Sequence, residues 1–425
     1  MMKHFEELGK TLETIWAEAN YDEDKFPSIA ATALREADIP SKVTANDVLE
    51  WTMQQVTLPE QRDLPGRFGD PPITLYNSPR FHIDTYFWLE GTTSIHQHAF
   101  CGAFQVMHGS SIHSWYTFDL RDKLNFFTEL GDINLKVCEL LTIGDVQEIH
   151  GGKQYIHSLF HLDQPSVTIV VRTHRSPLDL PQFDYKKPFL AIDPFFEEPN
   201  TIKKMQCLNS MFRARMPKVD EYLMDWLKIA DFQTTYRILG GVRGYYLNNQ
   251  MEKEFNINTG MERYETVQNV VKERHGELAG VFPAVFAHQD KQSEILNRRQ
   301  FITDPEQRFF LALLLNLEGR ENILSLVQQR FSDENPLDKV LDWILDLSQT
   351  RFFGNSTQNA LGIEGFNDID LAVLEGMLKG QTEEEITRSF EREFQNSSGT
   401  DITKTVSEKK IAIEQSKILQ PLISG

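Results

Sequence analysis

The sequence predicts an α+β chain of several domains, in which helices come first, a small closed β unit follows, and a larger all-α part ends the chain. Three observations predict it. Apolar residues recur at helical spacing near both ends, and short runs rich in β-branched and aromatic residues crowd the interval from about 73 to 176. Pro- and Gly-rich passages separate these regions. At 425 residues the chain is too long for one ordinary core. The expected divisions are an N-terminal helical segment at 1–58, a β unit at 59–195 and a helical domain of unassigned role at 196–425.

The first segment carries Phe5, Leu8, Leu12 and Ile15 at helical spacing, and Thr44 is placed to cap a later helix running through Leu49 and Trp51. Pro59, Pro65, Gly66, Gly69, Pro71 and Pro72 then mark a boundary. Strands are expected at Ile73–Tyr76, Phe81–Trp88, Ala103–Met107, Ile112–Phe118 and Val167–Val171, and so many short strands in about a hundred residues suggest a closed barrel or roll. After the Pro-rich passage 177–194, helical periodicity returns and lasts to about 395, with apolar stripes over Phe309–Arg330 and Leu337–Leu347. Thr382 opens a capping box with Glu385, followed by Ile386, Phe390 and Phe394. Residues 396–408 read as a flexible segment before a short tail. No fixed-period repeat is evident.

Composition narrows the function. A net charge of −19, with Lys and Arg scattered, argues against nucleic-acid and anionic-membrane partners. The longest apolar run, Phe309–Leu315, is far below membrane-spanning length, and the first residues lack the apolar core of a signal peptide. Three widely spaced cysteines, Cys101, Cys138 and Cys207, make no disulfide framework, so a cytoplasmic location is expected.

The chemistry is carried by histidine. Nine of the 12 histidines lie between His82 and His174. His96 and His98 stand at i and i+2, so on a strand both rings point to one face, and inside a small barrel both approach one ion. His157 supplies a third ring from a distant strand, with His150 and His161 competing for that role. Two ligands from one strand and one from another leave open positions, as a catalytic metal site needs. His161 is a candidate to orient His157 or the substrate, and Gln105 is a candidate substrate contact or weak ligand. Arg172 or Arg80 offers a guanidinium to a substrate carboxylate. His108 and His113 read as lining strands without touching metal, Trp115 and Tyr116 as packing residues, and Cys101 as an inert buried thiol.

The run Trp88-Leu-Glu-Gly91-Thr-Thr-Ser-Ile-His96-Gln-His98, continuing to Met107-His108-Gly109, resembles the first cupin motif, and Gly144 to Gly152 followed by His157 resembles the second. The likeness covers roughly residues 80–177. It is nearest to thiol dioxygenases of the cysteine dioxygenase type, which share the Ser-Ile-His-x-His run and a strand like Pro165-Ser-Val-Thr-Ile-Val-Val. It implies a cupin-like barrel, or double-stranded β-helix, with a three-histidine Fe(II) site. Zn, Mn, Ni and Cu also suit such ligands. The slot where most cupins carry a glutamate ligand is Gly102, and the relay of the thiol dioxygenases falls near Thr168, Val170 and Arg172, of which only the first keeps a hydroxyl.

The leading expectation is therefore a metal-dependent oxygenase that acts with O2 on a small anionic substrate, amino-acid-derived or a thiol, as a possible homodimer. Two other readings stay open. His82, Asp84 and His157, with Arg172, match the two-histidine, one-carboxylate pattern of 2-oxoglutarate oxygenases. Alternatively, the barrel is a non-enzymatic ligand sensor.

Overall fold

In the computed structural model, the N-terminal stripe forms three helices, α1 (Met2–Glu18), α2 (Phe26–Ala37) and α3 (Ala45–Gln54). The structure describes residues 2–64, 68–89, 93–247, 259–351, 359–393 and 402–423. Phe5, Leu8 and Leu12 are buried, but Ile15 is exposed and Trp16 takes the inward place, because the next position on the same face after Leu12 is four residues on. Thr44 caps α3. Its hydroxyl accepts from the Asp47 N–H at 3.2 Å, and the Asp47 carboxylate accepts from the Thr44 N–H at 2.8 Å. The residue this helix buries is Val48, whereas Leu49 is exposed.

The β region contains eleven strands among the described residues: β1 (Pro72–Asn77), β2 (Phe81–Trp88), β3 (Ile95–His98), β4 (Gly102–His108), β5 (Ser111–Asn125), β6 (Thr128–Leu141), β7 (Val146–Ile149), β8 (Gly152–His161), β9 (Ser166–Thr173), β10 (Asp184–Lys186) and β11 (Leu190–Ile192). Five of them form an open sheet in the order β1-β2-β9-β4-β7. The other six close on themselves as β10-β11-β6-β5-β8-β3. The closing hairpin β10–β11 lies within the Pro-rich passage expected only to separate domains. Pro181 and Pro188 fall outside its two three-residue strands, so no ladder N–H is lost.

Alternation along the strands sorts side chains into three layers. Val167, Ile169 and Val171 of β9, with Phe81, Ile83 and Phe87 of β2, face α1–α3 and share their core. The opposite face of the open sheet, carrying Val170 and Phe104, meets Tyr155 and Leu159 of β8. The interior of the six-stranded barrel is filled from its own strands by Tyr116, Ile156, Tyr185 and Ala191, with Ile95 and Leu135 against them.

The rest is helical: α4 (Pro199–Arg213), α5 (Val219–Leu227), α6 (Phe232–Leu247), α7 (Thr259–His275), α8 (Val281–Phe301), α9 (Pro305–Asn316), α10 (Arg320–Arg330), α11 (Pro336–Gln349), α12 (Asp368–Leu378), α13 (Glu383–Glu393), α14 (Ile402–Gln415) and α15 (Gln420–Ile423). The expected stripe Phe309–Arg330 is two helices, broken where Leu317 turns extended and Gly319 adopts φ 93°. The capping box at Thr382 is present, with Ile386 and Phe390 buried behind it. Phe394 lies outside the described residues. Residues 402–408, expected to be flexible, are helical, because Val406 and Ile413 at i and i+7 bury against the C-terminal core. Among the described residues, no helix is long and apolar enough to cross a membrane.

Candidate metal centre

The site lies in the gap between the open sheet and the outer wall of the closed barrel. The barrel's own interior is on the other side of that wall. His96 and His157 are directly opposed across the β3–β8 pair. A register shift between His96 and His98 then pairs His98 with Gly152. Gly152 adopts φ 67°, which favours glycine, and the Asp179 carboxylate of the 176–179 turn lies close over Gly151, 2.2 Å from where a Cβ would stand.

Among the described residues, His96, His98 and His157 form a group that can hold a metal ion, with one ligand atom from each lying within 4.8 Å of the others. All three are buried. The Nδ1 of His96 is 2.7 Å from the Ser94 carbonyl, which fixes its proton there and leaves Nε2 as a lone pair. The Nε2 atoms of His98 and His157 are 2.8 Å apart, a separation that needs one shared proton or one shared cation. Burial, and next the neighbouring rings, hold His98 and His157 well below the usual imidazole value, and burial lowers His96 as well. These are neutral ligands, and the donor set fits a divalent ion of the nitrogen-loving kind.

A fourth histidine, expected merely to line a strand, supports the third. His113 on β5 is fully buried, and its Nε2 is 3.1 Å from His157 Nδ1. Its Nδ1 is 3.3 Å from Glu139, which accepts that proton and leaves His113 Nε2 as an acceptor, approached by the Trp115 indole N–H at 2.8 Å as well as by His157. The Tyr155 hydroxyl, at 3.1 Å, also approaches His113 Nε2. The β5–β8 register produces this contact by setting Trp115 opposite His157. No sequence spacing reveals it, although His113 and Trp115 at i and i+2 do share one face of β5.

The cavity holding the three rings measures about 250 Å³ and is walled by aromatic groups, among them Tyr86, Trp88, Phe100 and Phe104. Arg172 reaches into it from β9. Its guanidinium lies 3.4 Å from the centre of the Phe100 ring and 3.5 Å from the Tyr86 hydroxyl, and its buried Nε has no hydrogen-bond partner. Arg175 and Gln182, which sequence reasoning missed, also line the cavity. Thr168 accepts from the Trp88 indole at 3.2 Å.

Several expected residues are elsewhere. Gln105 points away from the cavity on β4, where its amide donates to the Gly144 carbonyl at 3.2 Å. His161 does not contact His157. It lies behind Trp88, stacked at 4.5 Å, with Nδ1 near the Ser166 hydroxyl. His150 is half-exposed beside Glu148, and Arg80 lies on the surface over Tyr21. His82 and Asp84 do not join His157. They pair with each other at 3.3 Å on the open sheet, and His82 stacks on His174. The two-histidine, one-carboxylate arrangement is therefore not formed. Gly102 explains why no carboxylate ligand occupies its slot, since any Cβ there would lie 2.0 Å from the Val171 carbonyl oxygen. Cys101 is buried, and its thiol is pushed up to about 12 by burial, which leaves it inert.

A small β-barrel carrying a three-histidine group fits a cupin-like fold. No protein-family model matches the chain, and no curated protein does. Solved structures match over about a third of it. One is of DMSP lyases (RdDddP and RnDddQII), 17% identical over 29% of this chain and 58% of that one, with a TM-score of 0.19. Another is Peruvianin-I, a cysteine peptidase from Thevetia peruviana latex, 17% identical over 32% of this chain and 78% of that one, also at 0.19. A third is the capsular polysaccharide assembling protein CapF from Staphylococcus aureus, 16% identical over 30% of this chain and 32% of that one, at 0.16. Likenesses this slight carry no argument about activity, so the functional reading rests on the site.

Proposed function

We propose that the chain is a non-haem Fe(II)-dependent oxygenase of cupin type that oxidises a small anionic substrate, amino-acid-derived or a thiol, with O2. The observation that carries this reading is the convergence of three buried, neutral imidazoles, beside a guanidinium whose Nε has no hydrogen-bond partner, in one cavity with aromatic walls. His96, His98 and His157 would hold the ion, which supplies Lewis acidity and one-electron chemistry toward dioxygen when bound. Three neutral ligands leave its charge uncompensated, and Gly102 admits no carboxylate to offset it, so an anionic substrate is favoured. Arg172 binds the substrate carboxylate through its free Nε edge, held in place by Phe100 and Tyr86. Trp88, Phe100 and Phe104 exclude water from the reacting end, and His113 keeps His157 in the ligating tautomer.

The test begins with metal analysis of anaerobically purified protein beside its His98→Ala variant. Near-stoichiometric iron in the parent and none in the variant is expected, followed by oxygen uptake with small thiols or amino acids that is lost in the variant. Failure of both proteins to take up metal, even after reconstitution with Fe(II), would refute the three-histidine reading. Tightly held zinc without oxygen chemistry would point to a sensor instead.

A further inference from the structure

The six-stranded barrel has a mouth of its own, on the side of its wall away from the histidines. Strands β3 and β8 form that wall. On β8, His157 faces the metal cavity while its neighbour Ser158 faces the mouth, and on β3 the same holds for His96 and Ile95. The mouth encloses a cavity of about 250 Å³, covered by α8 and by the turn after α9. We infer that this mouth is a second small-molecule site, built for an anion bearing phosphate or carboxylate oxygens.

Charge supports the inference. In a chain of net charge −19, this cavity gathers Lys186, Lys187 and Lys291, with the neutral ring of His288 beside them, against one carboxylate, Glu318, whose side chain is 60% exposed at the rim. The Lys186 ammonium is engaged by Asp184 at 3.0 Å. Lys187 is not comparably satisfied. Its side chain is only 16% exposed, and its nearest carboxylate oxygen, on Glu318, lies 3.9 Å away, at the limit of an ion pair. Burial therefore lowers its proton affinity, with Glu318 only partly opposing. Among the described residues, no carboxylate lies within ion-pair distance of Lys291. The Nε2 of His288 is buried without a hydrogen-bond partner, and burial pushes the ring down to about 4. The hydroxyls of Tyr116 and Ser158, 3.5 Å apart, line the floor. Under-satisfied polar groups around this cavity, with one rim acid opposing them, are what an anionic guest would complete.

The inference does not depend on the metal reading, and one experiment separates them. Inorganic phosphate is titrated calorimetrically into the full chain and into Lys187→Gln, Lys291→Gln and His98→Ala, with far-UV circular dichroism as the folding control. Saturable binding in the parent and in His98→Ala is expected, weakened about tenfold in Lys187→Gln and several-fold in Lys291→Gln. Lys291 is only partly buried, so its variant retains the fold even where Lys187→Gln does not. Absence of saturable binding in the parent would overturn the proposal. So would binding that survives both lysine variants and vanishes in His98→Ala, which would place phosphate at the histidines.

Discussion

Replacing His113 by leucine tests the site through a residue that touches no metal. His113 is fully buried and accepts at Nε2 from His157 Nδ1, 3.1 Å away, with the Tyr155 hydroxyl at the same distance. Leucine fills most of the volume but accepts nothing. The single Nε2 lone pair that the His157, Tyr155 and Trp115 donors approach would then be gone, and one buried donor left without a partner costs about 1–3 kcal/mol. Freed from its acceptor, His157 also samples the other tautomer and ring orientation. Supports of this kind are worth about 10–100-fold in metal affinity. Competition against a chromophoric chelator at neutral pH measures this directly. His113→Gln restores an acceptor and is expected to recover much of both losses. A folded His113→Leu protein that binds metal as tightly as the parent would refute the claim that His113 fixes His157.

Three further outcomes follow from the same geometry. Acid should destabilise the metal-free fold: His98, His157 and His161 are held neutral by burial, His161 down to about 3, while in the unfolded chain each titrates near 6.5. Stability present above pH 6.5 is thus lost as pH falls below it, by about 1.4 kcal/mol per group one unit down. Urea unfolding midpoints that stay constant between about pH 7.5 and 5.5 would contradict this. Gly102→Ala forces a Cβ to 2.0 Å from the Val171 oxygen and must displace β9, so a loss of about 3 kcal/mol in chemical denaturation is expected; an unchanged midpoint would show that the strand yields freely. Arg172→Gln should raise KM for whichever anionic substrate drives oxygen uptake by about tenfold or more with iron content unchanged, and an unaltered KM would remove Arg172 from substrate binding.

Much of the site was legible because its logic is local. Two histidines at i and i+2 on a strand must share a face, and the glycines that bracket them announce tight turns. The cross-strand opposition of His96 to His157 follows once the strands are paired, whereas the register shift before His98 departs from regular pairing. His113 escaped notice because its role comes from the register of β5 against β8, two strands separated by the long β5–β6 hairpin. His161 misled for the converse reason. It stands four residues after His157, on the same face of β8, yet Trp88 from the open sheet stacks over it. His82 and Asp84, offered as an alternative ligand set, instead pair with each other on β2.

The sequence by itself determined the order of helices, β region and helices along the chain, and the strand-borne histidine pair, because periodicity and residue type act over a few neighbours. Tertiary structure alone decided that β10 and β11 close the six strands into a barrel, and that one wall then separates two cavities. It also brought Lys187 to His288, a hundred residues further on. Those contacts depend on strand register and helix docking, which no short window of sequence encodes.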